Sequence, residues 1–152
     1  MRKQGWLPGL LLALSACGAT DPAAGPLVDL ERAERAWARA DLTSYVYSVE
    51  RICFCTPDSR GPVRVRVEDG VVTGRTYVDS GGTVPDGIHD LFPAVEGLFA
   101  IVRSALESGA HSVRVTYHPD LGVPVDFYID YNEQMADEEL GMRVTEDVEP
   151  LT

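Results

Sequence analysis

The chain has 152 residues, 45% of them hydrophobic, and this size and composition predict one globular domain rather than a disordered chain. Its formal net charge is −11, from 24 acidic and 13 basic residues. An acidic chain without a basic cluster argues against nucleic-acid binding and against adsorption on anionic lipid, because both of those partners are negatively charged.

The N-terminus has the parts of a secretory signal peptide. Two basic residues near the start precede an apolar stretch from Leu7 to Leu14, which is shorter than the roughly 20 apolar residues of a transmembrane helix. The small residues Ser15 and Ala16 follow, as a cleavage site requires. We predict that residues 1–16 are a signal peptide, whose removal leaves 11 basic and 24 acidic residues, a net charge of −13.

The end of this segment, Leu14-Ser15-Ala16-Cys17, resembles the lipobox of bacterial lipoproteins. The resemblance implies a diacylglyceryl group on the Cys17 thiol, cleavage before Cys17, and acylation of the new amine by a chain such as palmitate. Two or three acyl chains give stable anchoring. The alternative is an ordinary secretory signal that a cysteine follows by chance.

The lipobox predicts the location of the protein. We expect it in the cell envelope, anchored to the membrane through lipid on Cys17 and facing the periplasm or the exterior. Gly18 takes the place of the aspartate that marks inner-membrane retention in Gram-negative lipoproteins, so it is compatible with the outer membrane.

The first helix should follow a tether. Residues 17–27 are small and rich in proline and glycine, which predicts a flexible segment, and a single domain is expected over 28–152. Its first helix should begin at Asp29, a suitable N-cap, and end near Asp41. Apolar residues recur along it at helical spacing, at Leu30, Ala33, Trp37 and Ala40.

The first strand is predicted over Tyr45–Cys55. Side chains alternate between the two faces of a strand, so Tyr45, Tyr47 and Val49 share one face. Their aromatic and β-branched character suits a packed sheet surface, and we expect this face to meet the core.

A hairpin follows the first strand. Three valines alternate with charged residues over 63–68, and Asp69-Gly70 supplies a two-residue turn, because a type I′ turn needs positive φ at both positions. The chain should return as a third strand over 71–78, in which Gly74 marks a bulge. Residues 79–87 are predicted to form a loop.

The second half has a similar order. A helix is predicted between Pro93 and Gly109, with proline inside its start and glycine past its end. Further strands are predicted at 111–117, 125–129 and 142–148. The resulting order, αβββαβββ, predicts an α+β fold: a mostly antiparallel sheet of about six strands with two helices packed on one face.

Cys53 and Cys55 are the first candidates for chemistry, because export permits disulfides and lipid would occupy Cys17. In a flat strand, residues i and i+2 lie about 6.6 Å apart at Cα, near the upper limit of about 6.8 Å for a disulfide. A local bridge therefore needs a bend at Phe54. The alternatives are a redox or thiol-exchange pair, and a soft-metal site, which two thiolates alone would not complete.

The acidic segment 130–139 is the second candidate. If Asp130 is taken as position 1 of an EF-hand loop, Gln134, Met135 and Gly141 stand at positions 5, 6 and 12. None of the three is the residue that the motif requires at its position. A noncanonical cation site is one hypothesis, and a solvated hairpin loop is the alternative. The carboxylates available to such a site are Asp126, Asp130, Asp137, Glu138 and Glu139.

The sequence contains no motif that pairs a catalytic nucleophile with a base, and no motif that binds a cofactor. His89, His111 and His118 are scattered along the chain, and the zinc, hydrolase, phosphate-loop and dinucleotide motifs are absent. We expect no cofactor, and a hydrolase is the least favoured function.

Several short motifs occur in a distinctive order: Trp37, Tyr45, Tyr47, Cys53-Phe54-Cys55, Val65, Val67, Asp69-Gly70, Val95 to Phe99, Tyr117, Gly122-Val123-Pro124, Ile129-Asp130 and Asp137-Glu138. In this order they resemble DUF6174, a family of bacterial lipoproteins of unknown function. The resemblance covers residues 30–148, and His118 departs from it, because a turn aspartate would be expected there. The family has no established activity, so the resemblance implies no catalytic residue.

These observations predict a lipid-anchored envelope protein that has no catalytic activity. It would bind an envelope protein, a peptide or a small ligand, or serve a structural role. The alternative is a redox or metal-handling envelope protein that uses Cys53 and Cys55.

Overall fold

A computed structural model describes residues 24–135 and 137–151. The predicted signal peptide, Cys17 and the first part of the predicted tether lie outside these residues. In the described part, no helix has the length and hydropathy needed to cross a bilayer. The elements there, in chain order, are α1 (Ala24–Ala40), β1 (Tyr45–Ile52), α2 (Pro57–Arg60), β2 (Val63–Glu68), β3 (Val71–Tyr77), a 3₁₀ helix (Asp86–Leu91), α3 (Val95–Glu107), β4 (Ser112–Tyr117), β5 (Pro124–Asp130) and β6 (Leu140–Pro150).

The six strands form one open antiparallel sheet in the order β3-β2-β1-β6-β5-β4. This confirms the predicted α+β class and the six-stranded antiparallel sheet. The predicted order αβββαβββ lacks α2 and the 3₁₀ helix, so the expected helix count is wrong. Both omitted helices are short, and each begins at or just after a proline, whose fixed φ suits a first helical turn.

α1 begins at Ala24 and not at the predicted cap Asp29, so its first turn includes part of the predicted tether. Pro26 is tolerated there, because the first N–H groups of a helix have no intrahelical partner. Leu27 packs against the core, which favours the longer helix. Asp29 instead lies inside the helix and pairs with Arg32, with 2.6 Å between Oδ1 and Nη1.

One face of the sheet meets the core, as the alternation in β1 and β2 predicted. Tyr45, Tyr47 and Val49 are buried, and so are the three valines of β2. Buried side chains of two helices join them in a single cluster. These are Leu30, Ala33 and Trp37 of α1, and Val95, Leu98, Phe99, Val102, Ala105 and Leu106 of α3.

A small polar network connects α1, β1 and α3 at the edge of this core. Glu96, in the first turn of α3, accepts hydrogen bonds from Trp37 Nε1 at 2.8 Å and from the Tyr45 hydroxyl at 3.0 Å. The same hydroxyl accepts a hydrogen bond from the Val95 N–H at 3.0 Å. Burial raises the pKa of Tyr45 well above its ordinary value, so the phenol keeps its proton as a donor.

The predicted turn and bulge between β2 and β3 are confirmed. Asp69 and Gly70 have φ of 50° and 77°, the positive values that a type I′ turn requires. The β2–β3 register shifts between Arg66, which lies opposite Gly74, and Val67. Glycine therefore marks the bulge, as its weak packing in a strand suggests.

The opposite face of the sheet, which we call the outer face, is lined by charged pairs. Arg143 of β6 lies between Glu50 of β1 and Asp126 of β5, with N–O distances of 3.6 Å and 2.7 Å. Arg64 of β2 pairs with Glu146 of β6 at 2.6 Å. The Arg143 pairs join neighbouring strands, and the Arg64–Glu146 pair reaches across β1. Opposite charges placed in this way stabilise such a face while it stays in contact with water.

Candidate functional site

β1 ends at Ile52, before its predicted end, and the chain bends through Cys53, Phe54 and Cys55. The two sulfur atoms lie 2.04 Å apart, at disulfide distance, and the two Cα atoms lie 5.3 Å apart. A flat strand would separate these Cα atoms by about 6.6 Å. The bend therefore brings the pair into the usual range for a disulfide, in agreement with the predicted local bridge.

Hydrogen bonds connect this Cys53–Cys55 loop and its strand to the short helix α2. Arg60, at the end of α2, donates from Nη2 to the carbonyl oxygen of Cys55 at 3.2 Å. Arg51 of β1 donates from Nη1 to the carbonyl oxygen of Ser59 at 3.2 Å, and partial burial lowers the pKa of its guanidinium. The loop is thus held by the bridge and by polar contacts on both sides.

Phe54 lies at the tip of the loop, with 99% of its surface exposed. Its neighbour on the outer face, Ile52, is 39% exposed. Single exposed apolar side chains are common on soluble proteins. Here, however, the bridged loop holds the Phe54 ring fully in water next to a second apolar residue. Together the two side chains offer apolar area that a partner can cover.

Beside the loop, four residues form a row across the outer face. Ile52 lies opposite Gly141 of β6, and Gly141 lies opposite Tyr128 of β5. Tyr128 lies opposite Arg114 of β4, whose guanidinium carbon is 5.2 Å from the centre of the Tyr128 ring, a cation–π contact. Because directly opposite residues share a face, Ile52 and Tyr128 stand on either side of the glycine.

Gly141 is required by the close approach of β1 and β6. A Cβ atom on Gly141 would lie 2.8 Å from Ile52 Cβ and 3.4 Å from a ring carbon of Tyr128. The first distance is too short for a normal contact, so a side chain there would push the strands apart. As a result, no side chain of β6 separates Ile52 from Tyr128.

An open groove of about 510 Å³ is lined by Ile52 and Tyr128 of this row, by the loop and by the acidic segment after β5. We call it the Phe54 groove. Asp137 and Glu139 supply its carboxylates, and the Asp137 N–H donates to Glu139 Oε2 at 3.2 Å. Its lining residues are Arg51, Ile52, Cys53, Phe54, Cys55, Tyr128, Asp137 and Glu139.

The candidate cation ligands do not come together as a site. Asp126 pairs with Arg143 on the outer face, and Asp130 accepts a hydrogen bond from a backbone N–H of its own loop at 3.0 Å. Asp137 and Glu138 lie in the segment that leads into β6. Within residues 24–135 and 137–151, no three Asp, Glu, His or Cys side chains are placed to hold a metal.

The three histidines lie at separate places, and His118 has a structural contact. Its Nδ1 accepts hydrogen bonds from the N–H groups of Asp120 and Leu121, at 3.2 Å and 3.1 Å. An aspartate in a turn accepts the same kind of bond, so His118 replaces the expected aspartate without loss of the turn. His89 and His111 lie near a carbonyl and a carboxylate elsewhere.

Replacing both Cys53 and Cys55 by serine is expected to lower the free energy of unfolding by about 1–2 kcal/mol, because closing so short a loop removes little chain entropy from the unfolded state. Urea denaturation of the oxidised protein and of the double variant measures the loss. The reduced wild type serves as the control, since it lacks the bridge but keeps both sulfurs. A larger loss in the variant than in the reduced protein would assign the effect to packing and not to the bridge.

The surface beside the cysteines is not apparent from the sequence. Alternation puts Ile52 and Phe54 on one face of β1, and Tyr128 on the outer face of β5, but no local pattern joins those strands. Gly141 lies just before the predicted strand 142–148. Gly141 was the one sequence feature here that could have indicated this surface, because a glycine within a strand often marks the close approach of another backbone.

Comparison with known proteins gives a family and nothing beyond it. Residues 29–150 match the sequence model described as a family of unknown function (DUF6174). The match covers most of the chain and agrees with the resemblance seen in the short motifs. The comparisons found no match among curated proteins and none among solved structures.

Proposed function

The chain belongs to the DUF6174 family of unknown function, and from this premise we propose that it is a lipid-anchored cell-envelope protein that acts as a non-catalytic binding module. Cys17 carries the lipid in this proposal, and the domain faces the periplasm or the exterior. Buried side chains of α1 and α3 share the core cluster with the inner face of the sheet, and the outer face and the Phe54 groove are the surfaces proposed for a partner.

The pairing of Cys53 with Cys55 is the observation that carries the proposal. Disulfides form and persist in exported compartments and are rare in the cytosol, where thiols are kept reduced. A Cys53–Cys55 bridge fits an exported protein, in agreement with the N-terminal segment. The lipobox at 14–17 supports the anchor, and the exposed Phe54 beside an open groove supports the binding role.

The start of α1 limits the reach of an anchored domain. Helix α1 begins at Ala24, seven residues after Cys17. A fully extended chain spans at most about 3.6 Å per residue, so this connection would reach no more than about 25 Å. A domain on so short a connection would meet partners close to the membrane surface.

Cys17→Ser is expected to abolish incorporation of an alkyne-bearing fatty acid and to release the protein from the membrane fraction, because the thiol is the site of lipid attachment. Metabolic labelling in a bacterial host, followed by fractionation, measures both effects. The Cys53→Ser, Cys55→Ser variant is the matched control and should keep the label. A wild-type protein without label, or a Cys17→Ser protein that keeps it, contradicts the anchor.

A second candidate function is thiol–disulfide exchange through Cys53 and Cys55. Both cysteines are only partly buried and line the open groove, where an attacking thiol would have access. Alkylation after treatment with a mild reductant tests this role, and a bridge that resists the reductant contradicts it. Metal handling lacks comparable support, because bridged sulfurs offer no thiolate.

A further inference from the structure

We propose that the Phe54 groove binds a basic segment of a partner protein and that an apolar side chain of this segment packs between Phe54 and Tyr128. The inference deepens the proposed binding role and rests on it, but it does not depend on the lipid anchor. Its basis is the combination of exposed apolar side chains and carboxylates around one open groove.

The apolar part of the groove is held in place before a partner arrives. The bridge and the Arg60 hydrogen bond restrain the loop that presents Phe54. The β1–β6 and β5–β6 pairings fix Ile52 and Tyr128 on a continuous sheet. A surface that is already ordered loses little conformational entropy on binding, and buried aromatic contacts of this kind dominate many interfaces.

Two carboxylates and one guanidinium line the groove. Asp137 and Glu139 line it, and segment 130–139 contains five acidic residues and no basic one. Among the described lining residues, Arg51 is the single cation, so the lining carries two negative charges against one positive charge. Arg60 and Arg114 contact the Cys55 carbonyl and the Tyr128 ring but do not line the groove. Charge complementarity therefore favours a cationic partner.

The same charges disfavour a membrane as the occupant. Anionic lipid headgroups would be repelled by the acidic rim and by a processed chain with a net charge of −13. A protein segment can place a lysine or arginine against Asp137 and Glu139 while its neighbour covers Phe54. The groove is therefore assigned to a polypeptide and not to a lipid surface.

The first test measures binding of three short synthetic peptides of equal length to the protein purified from cells that express the full chain. One peptide alternates lysine with leucine, the second has glutamate in place of lysine, and the third has serine in place of leucine. We expect only the first to bind. Equal binding of the third peptide would mean that charge alone attracts it, and this would overturn the inference.

Phe54→Ser is the decisive variant, because Phe54 is 99% exposed and its removal changes neither the core nor the net charge. The dissociation constant of the lysine–leucine peptide should rise about tenfold. Val71→Ser is the matched control, since Val71 is 63% exposed and lies on β3, at the far edge of the sheet. Equal affinity of the two variants would contradict a site at Phe54.

A second pair of variants tests the charges. Asp137→Asn with Glu139→Gln should weaken binding and reduce its dependence on salt. Asp86→Asn with Glu31→Gln removes the same number of charges elsewhere and should leave affinity almost unchanged. If both pairs of substitutions lowered peptide affinity equally, the effect would come from the overall negative charge of the protein and not from a local contact. This result would overturn the assignment to this groove.

Vesicles of anionic and of zwitterionic lipid complete the experiment. If Phe54→Ser reduces vesicle binding while no variant affects the peptide, the surface belongs to a membrane and the inference is wrong. Cys17 labelling separates this outcome from failure of the anchor. A labelled protein without Phe54-dependent peptide binding contradicts only the inference, and an unlabelled protein that binds the peptide contradicts only the anchor.

Discussion

Replacing Gly122 by alanine is expected to lower the free energy of unfolding by about 3–5 kcal/mol. Gly122 lies in the turn between β4 and β5 at φ +74°, and a Cβ atom there would lie 2.2 Å from the carbonyl oxygen of Ala33 in α1. Both the left-handed backbone and this clash oppose a side chain. The oxygen belongs to helix backbone, so only a displacement of α1 from the turn would relieve the contact.

Gly81→Ala is the matched control for that substitution. Gly81 also has positive φ, +69°, but no heavy atom lies within 4 Å of its Cβ position. This variant should lose only about 1–2 kcal/mol, the cost of a left-handed residue with a side chain. Urea denaturation of both proteins gives the difference, and equal losses would contradict the close packing of α1 on the β4–β5 turn.

Tyr45→Phe should have the next largest effect, a loss of about 2–3 kcal/mol. The buried hydroxyl accepts a hydrogen bond from the Val95 N–H and donates one to Glu96. Without the oxygen, the Val95 N–H is left in a buried place with no acceptor, and the first turn of α3 loses its hydrogen bonds to Tyr45 of β1. An unsatisfied buried donor costs more than the hydrogen bond itself contributes.

Tyr131→Phe controls for the removal of a phenol oxygen in general. Tyr131 is 39% exposed, so its hydroxyl can bond to water in either state, and the change should stay within about 0.5 kcal/mol. Amide exchange adds a local readout, because the Val95 amide should exchange faster only in Tyr45→Phe. If Tyr45→Phe matched the control in both measurements, the hydroxyl would have no such role.

The predicted core agrees with the structure where a short segment alone defines the pattern. Every second residue of β2 is a valine, and all three valines are buried. The turn at Asp69-Gly70 depends on two adjacent residues. The apolar stripe of α3 follows the helical period. None of these signals requires knowledge of which elements meet in space.

Strand β6 shows why the rest could not be predicted. Only Gly141 and Met142 of its residues are buried, so its sequence resembles that of an edge strand, yet it lies between β1 and β5 at the centre of the sheet. Arg143 explains the difference, because it pairs with Glu50 on one neighbour and Asp126 on the other. These partners lie far away in the sequence, and no local period reveals them.

Periodicity and the neighbours along the chain were sufficient for the α+β class and for the inner face of the sheet, and the spacing of Cys53 and Cys55 showed that a bridge between them would need a bend. The tertiary structure alone decided that Phe54 projects into water beside Tyr128 and the acidic segment after β5. The physical reason is strand pairing, since the registers of β1–β6 and β5–β6 bring Ile52 and Tyr128 to either side of Gly141. The Phe54 groove exists only because those distant segments pair.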